Sequence, residues 1–303
     1  MHIDSFFIER TYYYQTVMPN KKISVKKNQM IIATAQSEVK SSVHENGIEI
    51  RRLIKVAKDK GASLVHFCEG ALSGYAKQQV KGWRDFDTDQ IKEELRLIQS
   101  ACKQLGTYAV IGSAHQLSHG NRPHNSLYII SNEGEIINRY DKRKCSQSEI
   151  ENWYTPGFDT CEFNISDIKF RCALCIEIQF PEIFIEAEQR DVDCLLFSTY
   201  SKERMFGIQA QGYAATHNYW ISMSVPANES AQQPSQLIGP TGEIIGQCER
   251  NMSGVEVFEI NKDDGRWHTA LKLAKPWRRL AREGTLYEQH RVNDERSEKK
   301  TII

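Results

Sequence analysis

Features that would define whole classes of protein are missing from this chain of 303 residues. No apolar run approaches the roughly 20 residues that a membrane-spanning helix needs. The formal net charge is +0, with 39 Lys and Arg residues against 39 Asp and Glu residues. Bulk charge therefore gives no reason to expect binding to nucleic acid or to a membrane surface. At the N-terminus, Asp4 stands where a secretory signal has a basic region, and no apolar segment follows.

A disulfide framework is also missing. The eight cysteines are spread through segments whose patterns predict strands and helices, unlike the dense cysteines of a small secreted domain. We therefore expect reduced thiols in a cytoplasmic enzyme. The remaining composition, with 40% hydrophobic and 26% charged residues, is ordinary for a globular protein.

The sequence predicts that the chain is divided into three parts. Residues 1–28 are aromatic and then basic, with no clear period, and are predicted to be an N-terminal extension that covers the domain or reaches a partner subunit. Residues 29–285 carry the periodic apolar patterns of a globular domain. Residues 286–303 are rich in charge and are predicted to be a C-terminal tail.

The same order of predicted elements occurs twice within the domain. Each half has a strand, a helix, a strand, a helix, a strand and a hairpin, and a final strand at 254–260 has no counterpart. Strands that alternate with helices indicate an α/β fold. Two such halves predict two sheets packed face to face, with helices on both outer surfaces. A single doubly wound sheet is the alternative.

Three residues able to carry chemistry stand at the ends of predicted strands: Glu69, Lys142 and Cys175. A cysteine at a strand end can project from the rim of a sheet, and nearby backbone N–H groups can face a developing oxyanion. If the halves pack sheet to sheet, the three strand ends meet at one rim. Each residue alone has a simpler explanation, as a capping carboxylate, part of a charged loop and a small buried apolar residue respectively.

Short motifs around these residues resemble the nitrilase superfamily of carbon–nitrogen hydrolases. In chain order they are Glu69-Gly70-Ala71-Leu72-Ser73-Gly74-Tyr75, Tyr140-Asp141-Lys142, Trp153-Tyr154-Thr155-Pro156-Gly157 and Cys175-Ile176-Glu177-Ile178-Gln179-Phe180-Pro181-Glu182. The resemblance extends from residue 29 to residue 285. It implies a four-layer αββα sandwich of two mainly mixed sheets with outer helices, no metal, no organic cofactor, and a homodimer or larger homo-oligomer.

The resemblance also implies roles for individual residues. Glu69 would be the general base, Lys142 the oxyanion stabiliser and Cys175 the nucleophile of a Glu-Lys-Cys triad, with the backbone N–H of Ile176 as a further oxyanion donor. Many members have a second glutamate near the aromatic and Pro-Gly segment that positions the substrate. Glu151 matches this residue best, and Glu149 is the alternative because the loop length differs among members.

The chain departs from the family pattern at several positions. Cys68 stands where the family usually has proline. Ile176 stands where typical nitrilases have Trp and many amidases have Tyr, and the His-rich stretch that nitrilases usually carry after the Lys is missing. These departures favour amide over nitrile substrates. Cys172 forms a Cys-x-x-Cys spacing with Cys175, but the two would point to opposite faces of a strand, so Cys172 is expected in the core.

The expected function is hydrolysis of a non-peptide carbon–nitrogen bond in a small linear amide or carbamoyl substrate, through a cysteine thioester. Nitrile hydrolysis and acyl transfer to an amine or thiol are alternatives within the superfamily. A non-catalytic relative that binds a small molecule or a partner protein is the alternative from another class. Further candidate pocket donors, each with a rim or packing role as the simpler interpretation, are His115, His119, His124 and His217.

Overall fold

The computed structural model describes residues 28–118 and 120–301. Its strands are β1 (Gln29–Gln36), β2 (Leu64–His66), β3 (Tyr108–His115), β4 (His124–Ile130), β5 (Ile136–Asp141), β6 (Glu162–Ile165), β7 (Ile168–Leu174), β8 (Cys194–Ser198), β9 (Trp220–Ser224), β10 (Gln236–Ile238), β11 (Ile244–Gln247) and β12 (Gly254–Asn261). Its α-helices are α1 (Val43–Asp59), α2 (Thr88–Leu105), α3 (Gln147–Asn152), α4 (Pro181–Gln189), α5 (Arg204–His217), α6 (Lys275–Arg282), α7 (Thr285–Glu288) and α8 (Glu295–Glu298). A π-helical turn, Thr269–Ala274, leads into α6.

The strands form two six-stranded mixed sheets with the same internal order. One sheet runs β12-β1-β2-β3-β4-β5 and the other β11-β10-β9-β8-β7-β6. In the first, β1, β2 and β3 are parallel and β4 and β5 follow antiparallel; β7 to β11 repeat this pattern in the second. The final strand does have a counterpart, because β12 pairs antiparallel with β1 as β6 pairs with β7. The short strand β6 was not predicted.

The layers follow from three apolar clusters. Ile32 and Val110 of the first sheet share one cluster with Leu196 and Trp220 of the second, so the sheets pack face to face. The outer face of the first sheet is covered by α1 and α2, and that of the second by α4 and α5. The predicted four-layer αββα sandwich is therefore confirmed, and the single doubly wound sheet is excluded.

A buried histidine links the two sheets close to the end of β2. His66 contacts the Ser222 hydroxyl through Nδ1 at 2.9 Å and the Ser198 hydroxyl through Nε2 at 2.7 Å. Ser198 in turn donates to the Phe67 carbonyl at 2.8 Å. Burial lowers the pKa of His66 to about 3, so the imidazole is neutral at pH 7. These bonds hold the end of β2, and hence Glu69, at a set position over the second sheet.

The described part of the chain begins next to β1 and ends just after α8. Residues 1–27 of the predicted N-terminal extension are outside the described residues. At the other end, α7 and α8 follow α6, and the side chains of residues 289–301 are exposed. Among the described residues, no helix combines the length and the apolar composition that crossing a bilayer requires.

Candidate active site

The structure brings the three predicted strand-end residues to one buried site. Lys142 directly follows β5, Cys175 directly follows β7, and Glu69 lies three residues after β2. Glu69 and Lys142 are 0% exposed and Cys175 is 8% exposed. The charges of both Glu69 and Lys142 act on the pKa of the Cys175 thiol, which places the three groups within electrostatic reach of one another.

The Lys142 ammonium lies between two carboxylates. Its Nζ donates to Glu69 Oε1 at 3.0 Å and to Glu149 Oε1 at 2.8 Å. Burial alone would lower the pKa of Lys142, but the two carboxylates outweigh it and raise that pKa well above its usual value. Lys142 is therefore a charged group throughout the physiological pH range.

Glu69 is held by further hydrogen bonds. The Asn125 side-chain amide donates to Glu69 Oε1 at 2.7 Å, and the Tyr200 backbone N–H donates to Oε2 at 3.1 Å. Burial raises the pKa of Glu69, and the charge of Glu149 adds to the rise, while Lys142 opposes it. The site therefore contains a carboxylate that is a stronger base than an exposed glutamate.

The second glutamate at the site is Glu149, which corrects the preference for Glu151. Ser146 caps α3, and Glu149 Oε2 accepts the Ser146 N–H at 2.7 Å in a capping box, while Oε1 faces Lys142. Glu151 is exposed and accepts a hydrogen bond from Gln147 on the helix surface. Two residues along a helix correspond to a rotation of about 200°, so the two side chains point to opposite sides. The pattern Ser146-x-x-Glu149 was the sequence signal that could have identified the inward glutamate.

Cys175 occupies a strained backbone position. It opens the 3₁₀-helix Cys175–Gln179 with a left-handed φ of 46°, which is unusual for a residue other than glycine. The Ile176 N–H lies in the first turn of that helix, where backbone N–H groups have no partner within the helix. Burial raises the pKa of the Cys175 thiol to about 12, and the Glu69 charge adds to the rise. The thiol is therefore protonated at pH 7.

Glu177 joins the loop of Lys142 to the strand end of Cys175. Its Oε1 accepts hydrogen bonds from the backbone N–H groups of Arg143 at 2.8 Å and Lys144 at 3.0 Å, and its Oε2 accepts from Leu174 N–H at 2.7 Å. The Tyr140 hydroxyl also donates to this carboxylate, at 2.7 Å. These contacts make Glu177 a structural acid that holds the turn in place.

Aromatic side chains that sequence reasoning did not single out enclose the site. Tyr75 and Tyr200 stack with their ring centroids 4.3 Å apart, and Gln79 donates to the Tyr200 hydroxyl at 2.7 Å. Burial raises the pKa of Tyr75 and Tyr154, and the Glu69 charge adds to both shifts. The tyrosines therefore remain neutral. Two of the three belong to the Gly-Tyr and Trp-Tyr motifs, which was the available signal.

The remaining predicted residues lie in packing or rim positions, and His119 is outside the described residues. His115 contacts the Tyr128 hydroxyl at 2.6 Å, and His124 donates from Nδ1 to the Thr155 carbonyl at 2.7 Å. His217 is buried between Tyr213 and Tyr219. The core and rim assignments expected for them agree with these contacts, as does the position of Cys172 in the cluster between the sheets.

Within residues 28–118 and 120–301, no group of His, Cys, Asp and Glu is arranged to hold a metal ion.

Most of the chain matches the model of a known protein family. The model for carbon–nitrogen hydrolases matches residues 31–268, a span that contains Glu69, Lys142, Glu149 and Cys175. The chain belongs to the carbon–nitrogen hydrolase family. The predicted resemblance to the nitrilase superfamily is confirmed.

Curated proteins that match this chain include amidases. The chain is 26% identical over 175 residues to the 2-oxoglutaramate amidase of Bacillus subtilis (strain 168), covering 54% of this chain and 66% of that protein. It is 27% identical over 165 residues to a formamidase of Bacillus thuringiensis (strain Al Hakam), covering 51% of this chain and 48% of that protein. The matches thus span less than two thirds of these curated relatives.

Solved structures of the family show the same sandwich. An amidase of the nitrilase superfamily from Nesterenkonia AN1 superposes with a TM-score of 0.70 at 17% identity, covering 83% of this chain and 98% of that one. A variant of the Nesterenkonia sp. AN1 amidase in complex with butyramide superposes with a TM-score of 0.69 at 18% identity, covering 77% and 92%. At this identity the likeness establishes the fold.

Replacing Glu177 by alanine should destabilise the protein strongly. The change leaves three backbone N–H groups and the Tyr140 hydroxyl without their buried acceptor. Each such group costs about 1–3 kcal/mol, so we expect the free energy of unfolding to fall by about 3 kcal/mol or more. Urea denaturation measures it. Glu182→Ala, at an exposed glutamate in the first turn of α4, is the control. Equal midpoints for the two variants would contradict the bridging role.

Proposed function

We propose that the protein hydrolyses the carbon–nitrogen bond of a small linear amide, through a thioester on Cys175. The observation that carries this proposal is the meeting of Cys175 with Glu69 and Lys142 in one water-poor site. A nucleophile, a base and a cation are the three groups that acyl transfer from an amide requires. Membership of the carbon–nitrogen hydrolase family and the amidase relatives support the same chemistry.

Glu69 acts as the general base in this proposal. A thiol with a pKa of about 12 carries almost no thiolate at pH 7, so a neighbouring base must take the proton as sulfur attacks. The raised pKa of Glu69 makes its carboxylate suited to that transfer. After attack, Glu69 returns the proton to the departing amine or ammonia.

Lys142 and the Ile176 N–H stabilise the tetrahedral oxyanion. The Lys142 ammonium is fixed in place by its two carboxylates and needs no reorganisation when negative charge develops on the carbonyl oxygen. The left-handed turn at Cys175 leaves the following N–H at the start of the 3₁₀-helix, beside the attacking sulfur. Loss of one such donor typically lowers the rate by about 10²–10³-fold.

The second half of the reaction releases the acid. Water enters after the amine has left, Glu69 takes its proton, and the resulting hydroxide attacks the thioester carbonyl. The same oxyanion donors stabilise this second intermediate. Its collapse breaks the carbon–sulfur bond, and the departing Cys175 sulfur takes the proton back from Glu69, which regenerates the thiol and the carboxylate. Acyl transfer to an amine or thiol instead of water would use the same intermediate.

Glu149 orients Lys142 and contributes to the substrate-binding side of the site. Its carboxylate shares the ammonium with Glu69 and is itself held by the Ser146 N–H. Burial opposes ionisation of Glu149, but Lys142 and these hydrogen bonds lower its pKa, so it remains an anion. A fixed anion here can accept a hydrogen bond from the amide nitrogen of a substrate. Amides are favoured over nitriles because Ile176 replaces the tryptophan that typical nitrilases carry.

Wild-type protein should release ammonia from at least one short amide in a panel of amides, ureas and nitriles, and Cys175→Ala should release none. Mass spectrometry after brief exposure to that amide should find an acyl adduct on Cys175, because the thioester accumulates before water attacks. Cys145→Ala, which changes another buried cysteine outside the proposed reaction, is the control. Turnover without an adduct would contradict the thioester route. Equal background release of ammonia from the wild type and from Cys175→Ala would favour a binding role.

Changing Glu149 to Gln should lower kcat/KM by about 10²-fold, because Lys142 loses the anion that positions it. Glutamine keeps the capping contact with Ser146, so α3 should remain folded. Glu151→Gln changes a glutamate in the same helix that faces solvent and should leave kcat/KM unchanged. Steady-state ammonia release gives kcat/KM for both variants, and their thermal unfolding midpoints show whether each remains folded. A larger effect at position 151 would restore the original preference for Glu151.

The acid limb of the pH–rate profile should lie above pH 4.5. Glu69 must be ionised to accept the proton, and its pKa is raised above 4.5 in the folded protein, so kcat/KM falls as pH decreases through that raised value. The high pKa of Lys142 preserves its charge on the alkaline side. The measurement is kcat/KM for one amide across the pH range in which the protein stays folded. A steady rise in rate toward the thiol pKa of about 12 would instead indicate attack by preformed thiolate.

A further inference from the structure

Thr199 stands beside the candidate nucleophile at the rim of the second sheet. Strand β8 pairs parallel with β7 in a register that places Ser198 opposite Leu174. Thr199 and Cys175 are thus the first residues after two neighbouring strand ends. Paired strands lie about 4.8 Å apart, so the two residues are neighbours across the sheet.

The side chains of these two residues belong to the same face of the sheet. Cys175 lies in the apolar cluster beneath α4 and α5, together with Phe197 of β8. Leu174 lies instead in the cluster between the sheets. Because side chains alternate along a strand, Thr199 falls on the same face as Phe197, two residues before it. Thr199 is 0% exposed.

Backbone hydrogen bonds fix the position of Thr199. Its N–H donates to the Ser224 carbonyl at 2.9 Å, which continues the pairing of β8 with β9 by one residue. The next residue, Tyr200, donates its N–H to Glu69 at 3.1 Å. The segment that positions the Thr199 hydroxyl therefore also holds the carboxylate of the candidate base.

The Thr199 hydroxyl makes two hydrogen bonds of different kinds. Its oxygen accepts the Ser201 N–H at 3.0 Å, in a turn closed by the side chain. Its second partner is the Cys175 side chain: burial raises the pKa of that thiol and the Glu69 charge adds to the rise, whereas the hydrogen bond with Thr199 lowers the pKa. A donor to sulfur favours the thiolate, so the lowered pKa identifies the hydroxyl as the donor.

On the basis of the thioester route, we propose that Thr199 is a further catalytic residue, whose hydroxyl donates a hydrogen bond to the Cys175 sulfur as negative charge develops on it. When Glu69 takes the thiol proton, the electron pair left on sulfur attacks the carbonyl carbon. The Thr199 O–H stabilises that charge and keeps its own proton. When the carbon–sulfur bond later breaks, the electron pair returns to sulfur, and the same O–H stabilises it until Glu69 returns the proton.

A buried sulfur has a particular need for such a donor. In water, solvent molecules would donate hydrogen bonds to a forming thiolate, and burial at Cys175 removes most of them. Lys142 is assigned to the carbonyl oxygen and is already bonded to two carboxylates. The Thr199 hydroxyl replaces one lost solvent bond at the sulfur itself, and hydrogen bonds to ionised groups are about twice as strong as those between neutral groups.

Alkylation of Cys175 by iodoacetamide tests this role without any amide hydrolysis. The sulfur attacks the methylene carbon, iodide leaves and Glu69 takes the thiol proton, while peptide mass spectrometry separates Cys175 from the other buried cysteines. Thr199→Val removes the hydroxyl at nearly constant shape and should lower the rate at pH 7 by about 3- to 10-fold, because the lost donor is partly offset by the greater nucleophilicity of a more basic sulfur. Thr199→Ser keeps the hydroxyl and should retain most of the wild-type rate.

Thr107→Val is the matched control. Thr107 is also 0% exposed, but it lies directly before β3 and its hydroxyl donates to the Leu105 carbonyl at 3.3 Å. This variant should be alkylated at the wild-type rate. Thermal unfolding shows whether each variant folds. Thr199→Ala, which removes the hydroxyl and adds no methyl group in its place, has the same expected result as Thr199→Val and replaces it if valine is not accommodated.

The pH dependence of alkylation separates a direct effect on sulfur from a displaced base. The acid limb reports Glu69 and should keep its position in Thr199→Val, and its movement would overturn the proposal by showing that the change acts through Glu69. Equal rates in Thr199→Val and the wild type, equally slow alkylation of Thr199→Ser, or an unreactive Cys175 in the wild type would also overturn it. The expected alkylation pattern without ammonia release from any amide would support Thr199 as the donor to sulfur and count against hydrolysis alone.

Discussion

One buried ammonium group holds the candidate site together. Lys142 lies between Glu69 and Glu149 at 3.0 and 2.8 Å, and all three side chains are almost fully buried. Burying two carboxylates around one cation costs free energy unless the remaining carboxylate oxygens also accept hydrogen bonds. The Asn125 amide and the backbone N–H groups of Tyr200 and Ser146 supply those bonds. The ends of β2 and β5 and the start of α3 are thereby fixed relative to one another.

Cys175, the proposed nucleophile, lies at the end of a strand in the other sheet, and Glu177 connects it to this ion cluster. Its carboxylate binds backbone N–H groups on both sides, from the Lys142 loop and from the end of β7. This bridge also supports the left-handed backbone at Cys175, a conformation that costs of order 1 kcal/mol or more and persists only where its surroundings over-determine it. The proposed attack by Cys175 depends on this left-handed turn.

The fold and the three strand-end residues could be predicted because their signals are local. Strand and helix periods, the Gly-centred hairpins and the motifs around Glu69, Lys142 and Cys175 each lie within a few residues. The four-residue strand β6 was missed because so short a segment carries little periodic signal. Glu149 was ranked below Glu151 because motif spacing does not report which side of a helix faces inward.

By itself, the amino-acid sequence determined the α/β class, its internal repeat and the identity of the residues able to carry acyl-transfer chemistry, and the family resemblance of its motifs implied the sandwich. Propensity, periodicity and short motifs are properties of neighbouring residues. Only the tertiary structure decided that Lys142 is shared by two carboxylates, that Glu149 and not Glu151 is the second, and that burial keeps the Cys175 thiol protonated. The burial and the contacts of Glu69 depend on groups far apart in the chain, 73 residues for Lys142 and 131 residues for Tyr200, whose meeting follows from the packing of two sheets and not from any local pattern.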